Sequence, residues 1–565
     1  MTSTALRAVP AEVVNDTTSD SKLRYIIMFG APLVAGIALY WYMGRRTETK
    51  NKVSSVPKKD IRAEAQKKID DQINSQDPKE RATGFKNKGN NLFKVRKYKE
   101  AIECYSEAIK VCPIDKVDML STFYQNRAAA YENLNMVDNV LQDCTKAIEL
   151  NNKYSKAYFR RAKAFEEKGE LQKCVEDATV CAVLEQFQHA NALQLADKVL
   201  KSFASQRAKE IFSTRKPDLP ASSFIRNFLK SFCEDPVIHD LEAKRRNEPS
   251  AASGPPSGYD LALQDLLEEK WDQVEGHCTE EIRQEHDKEK LEKALLLRAG
   301  LCVLSGRIDD AERDVDTLLS RENVNVKVRV NALIKKATAE VHREQYEQAL
   351  ATFEKAVGLD PNNADIYLHR GQIYLLLDQV DQTLRNLELS ASLRPDFVSA
   401  NAQLAYSKYN FGKRFNDAQA EKEARAMFKT CMEKFPNAAE VYFLYAQLFN
   451  EQQQLGEAEK YFKKFIELEP RDALGWVHLG IVTVQSGQRD KGVEMMMKAI
   501  EIEPKCQFAY ETLSTFLMQI ERSEEAVKMI EKGIELAQSE GEIAHLIALK
   551  LSSEVQNVAM QRLGN

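Results

Sequence analysis

Five prolines recur at a nearly constant phase in the second half of the chain: Pro361, Pro395, Pro436, Pro470 and Pro504, separated by 34, 41, 34 and 34 residues. Proline stops a helix, so prolines at fixed phase in a chain with helical periodicity mark the end of a fixed unit. Each interval holds two amphipathic stretches divided by a short turn, which makes the unit a helix–turn–helix of about 34 residues. A single unit of that size cannot bury its own apolar face and must stack on the next. At 565 residues the chain exceeds what one hydrophobic core supports. Apolar residues follow the helical spacing almost everywhere, and almost no run alternates like a strand. The expected fold class is all-α, a repeat array.

The clearest copy of the unit is Phe85–Pro113, with Ala101, Tyr105 and Ala108 on one face of its second helix. Small and aromatic residues at these offsets, closed by Pro, are the pattern of a tetratricopeptide repeat. Three repeats align from Ala82, Ser121 and Ser155. They carry Gly89, Ala128 and Ala162 at position 8, Leu92, Tyr131 and Phe165 at position 11, and Ala108, Ala147 and Cys181 at position 27. Small residues there let helices touch, and large ones fill the gaps between them. An extra stretch, Lys116–Leu120, is expected to lengthen the first inter-repeat loop, and residues 413–419 form a second insertion. A capping helix is predicted between His189 and Lys216, closing a first domain over 82–216. A connecting helix and linker follow over 217–258, rich in Pro, Gly and Ser near 249–258, and repeats resume from 259 to 565, weakly at first. The last residues, 560–565, are expected to fray.

Ahead of the repeats, residues 1–24 are polar, and Tyr25–Met43 then runs for 19 residues without a charge. A helix of that length reaches about 28 Å, close to the hydrocarbon thickness of a bilayer. Tyr40, Trp41 and Tyr42 stand where aromatic rings favour the interface, and Arg45, Arg46, Lys50 and Lys52 follow. The stretch 25–43 is therefore read as one N-terminal transmembrane helix with the bulk of the chain in the cytosol, and 44–81 as a charged spacer. Moderate hydrophobicity with basic flanks suits an anchor in the mitochondrial outer membrane; the endoplasmic reticulum satisfies the same residues.

Net charge is −5, so no global attraction to nucleic acid or an acidic lipid surface is expected. The ten cysteines form no C-x-x-C pair, and the eight histidines are isolated. No nucleophile elbow, phosphate loop or zinc motif occurs, so neither catalysis nor a metal or cofactor is expected.

A stack of this kind presents the first helix of each repeat to a concave groove. In the first three repeats the inward positions hold Lys86, Asn90, Asn126, Lys156 and Arg160, all hydrogen-bond donors. Four residues separate Lys86 from Asn90 and Lys156 from Arg160, so each pair shares a helix face. Asn126 and Arg160 are expected to face solvent. These residues, in KNKGN, QNR and SKAYFR, resemble the dicarboxylate clamp of tetratricopeptide co-chaperones. That resemblance implies binding of the Glu-Glu-Val-Asp tails of the cytosolic 70- and 90-kDa heat-shock chaperones, whose terminal Asp offers two carboxylates to charged donors. In the later repeats the inward phase holds Phe443, Leu444, Leu474, Val477, Ile481, Val484, Phe508 and Met518. They are either an apolar groove for hydrophobic segments of other proteins or part of the core.

Anchor, spacer, clamp repeats, linker and long array together resemble the 70-kDa preprotein receptors of the mitochondrial outer-membrane translocase. The resemblance implies a single-pass receptor without enzymatic activity, which docks chaperones carrying hydrophobic precursors such as multispanning carriers. It further implies that the second groove takes the precursor's internal signals, and that cargo passes to other subunits of the translocase. Two other readings stay open: a reticulum-anchored co-chaperone adaptor, and a scaffold tethering an enzyme to a membrane.

Overall fold

The computed structural model describes residues 61–246, 256–285 and 287–564. The predicted span at 25–43 lies outside them, as does most of the Pro- and Gly-rich linker; among the described residues no helix is long and apolar enough to cross a membrane. The described residues form 27 α-helices and no strand.

After α1 (Ile61–Ile73) come three antiparallel pairs: α2 (Pro78–Lys94) with α3 (Tyr98–Val111), α4 (Val117–Glu132) with α5 (Val137–Leu150), and α6 (Ser155–Glu167) with α7 (Leu171–Leu184). The long α8 (Ala190–Thr214) covers the predicted cap, and α9 (Ser222–Lys230) and α10 (Pro236–Arg245) are short. Eight further pairs follow. These are α11 (Gly258–Leu267) with α12 (Trp271–Gln284), α13 (Lys288–Leu304) with α14 (Ile308–Ser320), α15 (Val326–His342) with α16 (Tyr346–Leu359), and α17 (Ala364–Leu376) with α18 (Val380–Leu393). Next come α19 (Val398–Phe415) with α20 (Ala418–Lys434), α21 (Ala439–Glu451) with α22 (Leu455–Leu468), α23 (Ala473–Gln485) with α24 (Arg489–Ile502), and α25 (Gln507–Gln519) with α26 (Ser523–Leu536). The chain ends in α27 (Glu540–Gly564). Its contacts divide it into two units: 61–209 together with 547–564, and Glu210–Leu546.

Within a repeat the two helices meet over the small residues read from the sequence; Ala101, Ala108, Ala128, Ala147 and Ala162 are all fully buried. The turn between them is a recurring left-handed residue. Arg96, Asn135, Gly169, Gly306, Glu344, Asp378, Gln453, Gly487 and Glu521 all have φ between 54° and 88°. The next residue's N–H returns to a carbonyl five residues back, as in Lys97 to Leu92 and Gln345 to Glu340, which satisfies the carbonyls at the end of the first helix.

A second recurrent device is an Arg–Asp bridge sixteen residues long. Arg127 grips Asp143, Arg161 grips Asp177 and Arg298 grips Asp314, each through two bonds of 2.6–2.9 Å. Each arginine also donates through Nη1 to a hydroxyl on the preceding helix, Ser106, Thr145 and Thr279 respectively. One side chain thus ties three helices, and breaking such a bidentate, half-buried pair leaves a carboxylate without compensation.

The first of the two insertions differs from expectation. Lys116–Leu120 is not loop: Lys116 precedes α4, and the remaining four residues form its first turn. Residues 413–419 lengthen two helices to 18 and 17 residues, with Asp417 capping α20 through the amides of Gln419 and Ala420. Neither stretch contains Pro, so the added residues extend the helical hydrogen bonding. The predicted fraying of 560–565 is also corrected, because α27 continues to Gly564. Leu551, Val555 and Ala559 lie four residues apart and are all buried, which gives the helix an interior face. Ala559 and Leu563 pack with Tyr158, Val180 and Cys181, and Arg562 reaches Glu176 at 2.7 Å and Asp177 at 3.1 Å.

Candidate functional site

The five donors of the first unit come from the first helices of three successive repeats. Lys86 and Asn90 lie on α2, Asn126 on α4, and Lys156 and Arg160 on α6. Asn126 Nδ2 donates to Asn90 Oδ1 at 3.3 Å, so the structure brings these two amides together. Lys86 is half-buried and Lys156 exposed, and neither has an ion-pair partner among the described residues. Asn126 and Arg160 immediately precede Arg127 and Arg161, so the three-helix bridges pin the turns that carry them.

Arg160 does not simply face solvent, as expected from the sequence. Its Nε donates to Glu132 Oε2 at 2.6 Å, and Lys163 Nζ reaches the other oxygen of the same carboxylate at 2.6 Å. Burial alone would raise the Glu132 carboxyl, but the hydrogen bonds from Lys163 and Arg160 hold it below the ordinary glutamate value. Arg160 Nη1 is buried with no hydrogen-bond partner. The site therefore offers cations and amide donors on one helical layer, chemistry suited to a carboxylate-bearing ligand.

In the second unit the groove has an occupant of its own. The segment carrying α9 and α10 runs along the first helices of the array, and the array's side chains grip its backbone. The Asp365 carboxylate accepts the N–H of Cys233 at 2.8 Å and of Glu234 at 2.9 Å. Glu503 accepts both the N–H and the hydroxyl of Ser223 at the start of α9. Lys335 and Asp235, each 5 % exposed, pair at 2.6 Å. Glu234 meets Lys327 and Arg394, and Lys230 meets Glu469. Phe224, Ile225, Phe228, Phe232 and Val237 of the segment are buried.

This arrangement explains where the eight apolar candidates fall. Phe443, Leu444, Leu474 and Val477 are at most 2 % exposed and belong to the core, a correction to the groove reading. Phe443 packs against the rings of Phe462, Phe465 and His478 at 5.0–5.6 Å. Ile481, Val484, Phe508 and Met518 are only partly buried. Leu474 and Phe508 share with Phe224 of α9 a cavity of about 60 Å³. That holds one or two waters, far below the roughly 300 Å³ at which ligand pockets begin.

Models of the tetratricopeptide repeat match residues 82–115, 439–472 and 474–506, and a further TPR-repeat model matches 338–378. The fold is that of the tetratricopeptide repeat. In sequence the chain is similar to the mitochondrial import receptor subunit TOM70 of Homo sapiens, 41 % identical over 375 residues, covering 65 % of this chain and 61 % of that protein. The chain thus spans about three-fifths of the length of the curated relatives it matches. A shorter tetratricopeptide match is to the Hsp70/Hsp90 co-chaperone CNS1 of Saccharomyces cerevisiae, 37 % identical over 103 residues, covering 18 % of this chain and 26 % of that one. Among solved structures, the crystal structure of yeast Tom70 matches with a TM-score of 0.49 at 24 % identity, covering 84 % of this chain and 96 % of that chain.

Sequence reading missed Glu132, the partner of Arg160, and the segment in the second groove. An acidic residue six positions after Asn126 carries no periodic signal. The docked segment joins residues more than 100 positions apart, such as Glu234 and Asp365.

Proposed function

We propose that this chain is a non-enzymatic import receptor of the mitochondrial outer membrane, held by the apolar stretch at 25–43. The observation that carries the reading is the 41 % identity to a mitochondrial import receptor subunit over 375 residues. Its first unit docks cytosolic 70- and 90-kDa chaperones through Lys86, Asn90, Asn126, Lys156 and Arg160, which bind the carboxylates of a Glu-Glu-Val-Asp tail. The hydrogen-bonded pair Asn90–Asn126 and the buried unpartnered Arg160 Nη1 support this clamp. The match to a protein named as an Hsp70/Hsp90 co-chaperone points the same way. The second unit receives hydrophobic precursors with internal signals and hands them to the translocase channel. Ile481, Val484, Phe508 and Met518 are its accessible apolar candidates.

The test is titration of the purified full chain with a peptide ending in Glu-Glu-Val-Asp, against the same peptide with an amidated C-terminus. Arg160→Ala and Asn126→Ala are expected to lower affinity by about 100-fold and tenfold, because charged and neutral hydrogen bonds differ by that order. Equal affinity for the amidated peptide, or no loss in Arg160→Ala, overturns the clamp. A tagged chain found on the reticulum overturns the mitochondrial assignment.

A further inference from the structure

We infer that two residues outside the five donors, Tyr105 and Glu132, act as positioning residues that fix the donors in their binding orientation before any ligand arrives. The inference rests on the clamp reading above and deepens it.

Tyr105 acts on the amides. Gly89 has no side chain, and a Cβ there would stand 2.7 Å from Tyr105 Cε1, so the tyrosine ring lies directly on α2. Tyr105 is 2 % exposed, and its hydroxyl donates to Asn90 Oδ1 at 2.8 Å. Asn126 donates to the same oxygen. An amide oxygen has two lone pairs, and both are now in use. Turning the Asn90 amide over would lose the bond from Asn126 and force the Tyr105 hydroxyl to accept instead of donate, so its NH₂ group remains as the face presented to a ligand. A ligand meeting Asn90 must be an acceptor, which is what a carboxylate is and what a lysine or amide nitrogen is not.

Glu132 acts on the guanidinium. It takes Arg160 by Nε, the inner edge of the fork, and spends its second oxygen on Lys163. The Nη edge is left for another acceptor, and Nη1 is already stripped of solvent without a partner. A free arginine gives up much rotamer freedom when it binds a carboxylate; one already held by Nε gives up less.

The experiment is affinity for the Glu-Glu-Val-Asp peptide by fluorescence anisotropy on the full chain, with helical circular dichroism as a folding check. Glu132→Ala is expected to weaken binding about tenfold, and Glu132→Gln, whose carbonyl still accepts from Nε, to remain within about threefold of wild type. Glu132→Ala added to Arg160→Ala is expected to cost nothing further, since the role runs through the guanidinium. Tyr105→Phe, which removes one oxygen, is expected to lose about fivefold, with no further loss when added to Asn90→Ala. If Arg160→Ala binds like wild type, the clamp itself fails. If Arg160→Ala loses binding while Glu132→Ala and Tyr105→Phe do not, the clamp stands and the positioning role is overturned. Equal losses in Glu132→Ala and Glu132→Gln also overturn it, because they assign the effect to net charge. Should Glu132→Ala unfold, the Gln variant and the Tyr105→Phe cycle decide alone.

Discussion

The two grooves are built from the same helix pair, yet one is open and the other is filled by the chain itself. In the first unit Lys86 and Lys156 have no ion-pair partner among the described residues, and Arg160 keeps a nitrogen unused. In the second, Asp365, Glu503 and Lys335 spend their hydrogen-bonding capacity on the backbone and side chains of the α9–α10 segment. A tetratricopeptide groove is thus defined less by its curvature than by which polar groups its repeats leave unpaired. The first unit leaves two lysines and one arginine nitrogen without such partners among the described residues. In the second, the corresponding groups are already engaged by α9 and α10.

The largest expected effect comes from cutting the segment's buried ion pair. Lys335→Met leaves Asp235 buried without its charge partner and should lower unfolding stability of the second unit by about 3 kcal/mol in denaturant titrations. If the segment competes for the groove, the same variant also binds hydrophobic precursor segments more tightly, making the second groove resemble the first. Tighter docking with weaker stability supports the comparison; lost stability with unchanged binding breaks it.

Next in size is a pH effect confined to the second unit. His478 sits among Phe443, Phe462 and Phe508, and burial lowers its pKa to about 4. Between about pH 6.5 and 4 the unfolded chain binds a proton at this histidine that the folded chain does not, so this residue's contribution to stability falls as pH falls. His478→Phe should flatten the stability profile across that window by up to about 3 kcal/mol. An unchanged slope would show that solvent reaches the ring. Peptide binding by the first unit should not respond to this substitution.

The smallest effect belongs to the first unit. Arg562 is 35 % exposed while it bridges Glu176 and Asp177, so solvent screens the pair. Arg562→Ala should cost about 0.5–1 kcal/mol, visible as a modest drop in the unit's melting temperature. A loss several times larger would make the terminal helix a major element of that unit.

Much of the fold was legible because its signals are local and periodic. The prolines at 34-residue phase, and the small residues at positions 8 and 27, marked the helix pairs that the structure shows. The placing of the five donors on α2, α4 and α6 was legible for the same reason, since it follows from helical phase. The turns were less so: a left-handed residue separates the helices, but Arg96, Glu344, Gln453 and Glu521 stand where glycine would have announced it. Apolar residues at the inward phase could not be divided into groove and core, because Leu444 and Ile481 look alike until the neighbouring repeats close over one of them. The segment in the second groove and the grip of Arg562 on α7 depend on contacts between distant parts of the chain, for which a single sequence holds no periodic mark.

That last contact bears on the order of synthesis. Residues 547–564 pack within the unit formed by 61–209, so a ribosome must translate the whole intervening array before Tyr158 meets Ala559 and Asp177 meets Arg562. The emerging first unit waits on the ribosome with Tyr158, Val180 and Cys181 not yet covered by their final neighbour. The half of the molecule proposed to receive chaperones would itself expose apolar surface through most of its own translation, and would reach its finished form after the half that it precedes.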